Sequence, residues 1–74
     1  MRTWLGNRRK ELGWTKSKAA ETLGISRQFY GQIESGERNP TLALAKRICN
    51  VMKLDPVMFF VDDIHDQHNQ IHSA

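Results

Sequence analysis

Apolar residues recur along most of this chain at three- and four-residue spacings, the period of helices packed on one side. Leu5 and Leu12 stand seven apart, with Trp4 and the basic pair Arg8 and Arg9 between them, and Gly13 closes the run. A helix over about 3–12 is predicted, with Thr3 as its cap. Thr15 is placed to cap a second helix from Lys16 to Leu23, in which Ala19, Ala20 and Leu23 share a face, and Gly24 suits the left-handed residue that ends it. The two alanines let a neighbouring helix come close.

Ser26 follows one residue after Gly24 and Ile25 begin the turn, and it caps a third helix through about Ser35, ended by Gly36. Two short helices joined by about three residues with a glycine cross steeply, which is helix-turn-helix geometry. After the loop at Asn39 and Pro40, Thr41 opens a fourth helix whose apolar face takes Leu42, Leu44, Ala45, Ile48, Cys49, Met52 and Leu54. Asp55 and Pro56 start a last element carrying Val57, Met58, Phe59, Phe60 and Val61. Five consecutive apolar residues suit a helix or a strand, and the cap-plus-proline start favours the helix. No segment alternates polar and apolar over a strand's length, so an all-α fold is expected over residues 1–61, with a separate tail over 62–74.

At 74 residues the chain forms one small domain, which buries roughly 60% of its unfolded surface and has little room for elaborate catalytic architecture. The single cysteine, Cys49, excludes an intrachain disulfide and zinc sites built on thiolate pairs, and its apolar neighbours make it a buried core thiol. There is no run of 18 apolar residues and no apolar leader, so a cytoplasmic protein without a membrane partner is expected. Charge is distributed unevenly. All 11 Lys and Arg lie in residues 1–54 beside four Glu, whereas residues 55–74 hold four Asp and no Lys or Arg. A basic body of this kind attracts polyanions such as nucleic acid, and the acidic tail is expected to oppose non-specific binding.

The third helix shows what that charge could serve. Tyr30 and Ile33 are its inward candidates, which turns Arg27, Gln28 and Gln32 to the other side, with the two glutamines one turn apart. Arg pairs in bidentate fashion with guanine O6 and N7, and Gln with adenine N6 and N7. Each type alone is common on helix surfaces. Following a steep turn in a basic domain, the three together form a groove-reading face.

The run from Leu5 through Arg9, Gly24, Ser26, the string Ile33-Glu34-Ser35-Gly36 and the loop Arg38-Asn39-Pro40, closing with Leu54-Asp55-Pro56 and Phe59-Phe60, closely resembles the Cro and cI repressor-like, or XRE-type, helix-turn-helix family. The resemblance covers about residues 4–60. It implies a five-helix, lambda-repressor-like DNA-binding domain that acts as a homodimer on inverted repeats of double-stranded DNA and regulates transcription, most often as a repressor. Carried over by position, Arg27, Gln28 and Gln32 read bases, and Phe29 partly faces the sugar-phosphate or a thymine methyl. Lys16, Ser17, Arg38 and Asn39 meet the backbone, and Arg9 pairs with Glu34. Four positions depart from the family pattern: Lys16 stands where Gln is usual, Tyr30 where a branched aliphatic is usual, Gly31 where Ser is common, and Ala19 where Leu is usual.

Met58, Phe59, Phe60 and Ile64 are expected to form the dimer contact, being more apolar than so small a monomer can cover. In the tail, His65, His68 and His72 recur at helical spacing near Asp66, but a chain terminus with only Ile64 and Ile71 to anchor it does not preform a metal site. No metal, cofactor or small-molecule ligand is expected. Nor is an enzyme: no nucleophile-base arrangement or phosphate-cradling glycine loop is present, and every histidine lies in the tail. The competing functional class is a protein-interaction module on the same fold, which would more often carry an apolar or acidic face on the third helix.

Overall fold

The computed structural model describes residues 1–61. Four helices follow in order, α1 (Thr3–Glu11), α2 (Lys16–Leu23), α3 (Arg27–Ser35) and α4 (Leu42–Met52), and residues 57–61 form a fifth helical segment. The apolar run at 57–61 is therefore helical; the Asp55 carboxylate accepts from the Val57 amide at 3.0 Å and starts it. The tail, with its three histidines and Ile64, lies outside the described residues.

Local chemistry sets most helix ends. Thr15, Ser26 and Thr41 each accept from the amide three residues on, at 3.0, 3.0 and 3.2 Å, which satisfies one otherwise unpaired donor per helix. Gly24 and Gly36 close α2 and α3 at φ of 74° and 90°, a backbone that a side chain disfavours.

Two expectations at helix starts are corrected. Thr3 is the first helical residue rather than the cap of α1; Arg2 holds the cap position without a side-chain cap bond, its carbonyl accepting from the Leu5 and Gly6 amides. Leu42 opens α4 on the solvent side, 63% exposed, while Leu44 and Ala45 of the same turn pack against the core. The end of α4 carries no glycine signal either, since Lys53 takes the left-handed conformation there at φ 58°.

Leu5, Ala19, Ala20, Leu23, Tyr30, Ile33, Ile48, Cys49, Met52 and Phe59 form one core drawn from all five helical segments. Trp4 closes it at one edge, its ring meeting Phe59 edge-on at 4.9 Å. Burial pushes the Cys49 thiol up, and the Asp55 carboxylate adds to that, which keeps it an inert core group.

Arginines tie the helix ends together. Arg47 of α4 donates to the Leu23 carbonyl at the end of α2, and Arg8 of α1 to the Met52 carbonyl at the end of α4. Such carbonyls have no partner within their own helix, so each arginine fills a vacancy that helix geometry leaves.

Candidate nucleic-acid interface

The turn between α2 and α3 is three residues, Gly24, Ile25 and Ser26, held by the Ile25 amide on the Ala20 carbonyl at 3.0 Å. Ala19, Ala20 and Leu23 of α2 and Tyr30 and Ile33 of α3 are buried against one another and α4, which fixes which side of α3 faces out. Gln28 is exposed on that outer side with Gln32, one turn on, half-buried, and Arg27 is exposed at the start of α3. Gly31 shares this face. A Cβ built there would meet nothing within 4 Å, so no internal contact requires the glycine.

The other polar residues expected to meet DNA lie outside α3. Lys16 and Ser17 open α2, where the first amides of a helix lack intrahelical acceptors and can meet a phosphate. Arg38 and Asn39 lie in the loop after α3. The Arg38 guanidinium lies 5.4 Å from the centroid of the Phe29 ring, so Phe29 is a platform beneath Arg38 as well as a half-buried edge of the core. Asn39 is exposed, but its side-chain oxygen accepts from Arg2 at 2.6 Å.

The third helix is docked on the first by a bidentate pair. Arg9 Nε and Nη2 donate to Glu34 Oε2 and Oε1 at 3.1 and 3.2 Å, both side chains being about one-tenth exposed, and Nη1 donates to the Trp14 carbonyl at 2.8 Å. The Glu34 side chain also lies against Gly6, where a Cβ would come within 2.5 Å of Oε1. A glycine inside α1 is thus explained by the approach of α3; mid-helix glycine was the available signal in the sequence.

Tyr30 lies fully buried near this pair. Burial pushes its phenol well above the ordinary 10.0, reinforced by the Glu34 charge, and its hydroxyl has no hydrogen-bond partner among the described residues. Tyr30→Phe is therefore expected to leave stability at neutral pH unchanged or raise it by up to about 1 kcal/mol. Above pH 10 the variant should gain further on the parent, because the unfolded parent's phenol ionises while the buried one stays protonated, drawing the parent toward the unfolded state. Denaturant titrations at pH 7 and pH 10.5 check both parts. A neutral-pH loss beyond about 1 kcal/mol would show that the hydroxyl is bonded to the Arg9–Glu34 pair.

The internal arginines also correct the source of DNA attraction. Of the basic body's first-helix residues, Arg9 is buried, Arg8 is half-buried and donates to the end of α4, and Lys10 alone of the three is exposed. Among the described residues the cations standing on the surface or partly so are Arg8, Lys10, Lys16, Lys18, Arg27, Arg38, Lys46, Arg47 and Lys53, of which Arg8 and Arg47 are each engaged by a carbonyl of another helix.

Nothing in the sequence marks Arg2 as a structural residue. It is 5% exposed, and its partners lie 31 to 37 residues away, a separation that leaves no local pattern. Among the residues expected at a dimer contact, Phe59 is corrected: it is 6% exposed, packed between Trp4 and Arg2, because the fifth segment turns it into the protomer's own core. Met58 is half-buried. Phe60 is 53% exposed and, with Leu42, Ala45, Pro40 and Pro56, lines a groove of about 420 Å³; Val57 and Val61 are exposed nearby in sequence. Among the described residues there is no cluster of three His, Cys, Asp or Glu able to hold a metal, and no helix long and apolar enough to cross a membrane.

Two short helices crossing at a three-residue turn, the second exposing forked polar side chains, define a helix-turn-helix domain. The helix-turn-helix family profile matches residues 5–59. The chain is 36% identical over its full length to the uncharacterized HTH-type transcriptional regulator YqaF of Bacillus subtilis, 99% of which is covered. It is 37% identical over 65 residues to an uncharacterized HTH-type transcriptional regulator of Methanothermobacter thermautotrophicus, covering 85% of this chain and 94% of that one. With the HTH-type transcriptional regulator SutR of Escherichia coli it shares 41% identity over 46 residues, 62% of this chain and 26% of that protein. No solved structure gives a significant match. The chain belongs to the XRE-type, Cro and cI-like family of helix-turn-helix transcriptional regulators.

Proposed function

We propose that this protein is a cytoplasmic repressor that binds an inverted-repeat operator in double-stranded DNA as a homodimer, with α3 in the major groove. One observation carries the reading: Gln28 and Gln32, one turn apart, lie on the side of α3 away from buried Tyr30 and Ile33, and Arg27 is exposed in the first turn of the same helix. Forked side chains so placed suit base edges, and Gly31 on the same face lets the helix backbone come close to the duplex. Lys16 and Arg38 flank them as phosphate contacts, with Ser17 and Asn39 adding neutral ones.

The dimer follows from the limits of one helix. A single recognition helix spans few base pairs, and two-fold symmetry places a second helix about one turn away along the duplex. The apolar surface at Phe60, Val57 and Val61 supplies the contact with the second copy.

In-vitro selection from a random duplex library tests the reading. The expected result is an enriched inverted repeat whose half-sites lie about 34–36 Å apart, one helical turn. Failure to enrich any sequence would favour a protein-interaction module.

A further inference from the structure

We infer that Arg2 is a positioning residue for DNA binding: it fixes the loop after α3 so that Arg38 is presented to a phosphate, without itself reaching the duplex. The inference rests on the DNA-binding reading above and adds a residue to it. Its Nη1 donates to the Ile33 carbonyl in the last turn of α3 at 2.6 Å and to the Arg38 carbonyl at 3.2 Å. Nη2 donates to Asn39 Oδ1 at 2.6 Å, and the Arg2 amide donates to the Glu34 carbonyl at 2.8 Å. The back of the guanidinium lies over the Phe59 ring, 5.3 Å from its centroid.

One planar fork thus joins the end of the recognition helix, two consecutive loop residues and the fifth helical segment. The geometry requires a guanidinium. An ammonium is a point charge that cannot direct two nitrogens to separate acceptors while stacking on a ring. Arg38 is held from both ends as a result, its carbonyl by Arg2 and its side chain by the Phe29 ring, while its amide donates to the Gln32 carbonyl at 3.2 Å. Arg2 is too buried to release counterions itself, so its effect on DNA must pass through the loop.

The test uses the full chain with Arg2→Lys, Arg38→Ala and the two combined. Circular dichroism and thermal melting establish that each is folded at the temperature of binding. Amide hydrogen exchange should then show the Arg38 amide at least tenfold less protected in Arg2→Lys, with the amides of α2 unchanged. On the selected duplex, Arg2→Lys should bind about tenfold more weakly, with a log-log salt slope shallower by about one as the Arg38 phosphate contact is lost. The combined variant should bind no more weakly than Arg38→Ala alone.

A merely structural role would lower the melting temperature and leave the salt slope intact. An unchanged slope, or additive losses in the combined variant, would overturn the inference. Should Arg2→Lys not fold, Asn39→Ala removes one acceptor and leaves the core alone; it should still speed exchange at Arg38, and normal protection there would overturn the inference too. If the parent protein binds no duplex at all, the DNA-binding reading fails, and the exchange measurement separately decides whether Arg2 orders the loop.

Discussion

Glu34→Ala is expected to remove about 3–5 kcal/mol of stability, because it strands the Arg9 guanidinium in a site where both partners are about one-tenth exposed. A domain of this length has about 4–11 kcal/mol in total, so the loss is a large fraction of it and the urea midpoint should fall steeply. The loss comes from the charge left behind more than from the pair's own attraction. Replacing both partners, Arg9→Met with Glu34→Leu, should therefore be far less damaging than the two single losses combined. Urea denaturation of the parent, Arg9→Met, Glu34→Leu and the double variant closes the cycle. Additive losses would mean that the two residues act separately, contrary to their bidentate contact.

Phe60→Asp should have a different signature. Phe60 is 53% exposed, so the monomer's fold should keep most of its stability, whereas a charge at the proposed two-fold contact should prevent association. Sedimentation at tens of micromolar is expected to change from dimer to monomer. Operator affinity should fall by about 10²- to 10⁴-fold, since each half-site is then bound without the effective concentration that the partner provides. A Phe59→Asp control should instead unfold the domain, because that ring belongs to the core. Dimers persisting in Phe60→Asp would place the association surface elsewhere.

Sequence alone revealed what short-range chemistry decides. Thr15, Ser26 and Thr41 as caps, and Gly24 and Gly36 as terminators, act within three or four residues, so α2, α3 and most of α4 were legible with the turn between them. The outward face of α3 followed from helical period once Tyr30 and Ile33 were assigned inward. Long-range contacts left no such trace. Nothing near Arg2 or Arg47 indicates that each would fasten the end of another helix, and composition counted these arginines with the cations free to meet DNA. Phe59 and Phe60, adjacent and chemically alike, could be assigned to opposite sides only after the fifth segment was placed against Trp4 and Arg2. At the end of α4, Lys53 adopts a left-handed conformation with no glycine to mark it in the sequence.

The most direct measurement of base reading is a set of anisotropy titrations with the parent protein, Gln28→Ala and Lys16→Ala, each on the selected duplex and on random duplex at several salt concentrations. Gln28→Ala should lose about 1–3 kcal/mol on the selected duplex and almost nothing on random DNA, since a neutral side chain releases no counterions. Lys16→Ala should weaken both duplexes by a similar factor and reduce the salt slope by about 0.9. Equal binding of Gln28→Ala and the parent to the selected duplex would contradict the assignment of this face of α3 to base recognition.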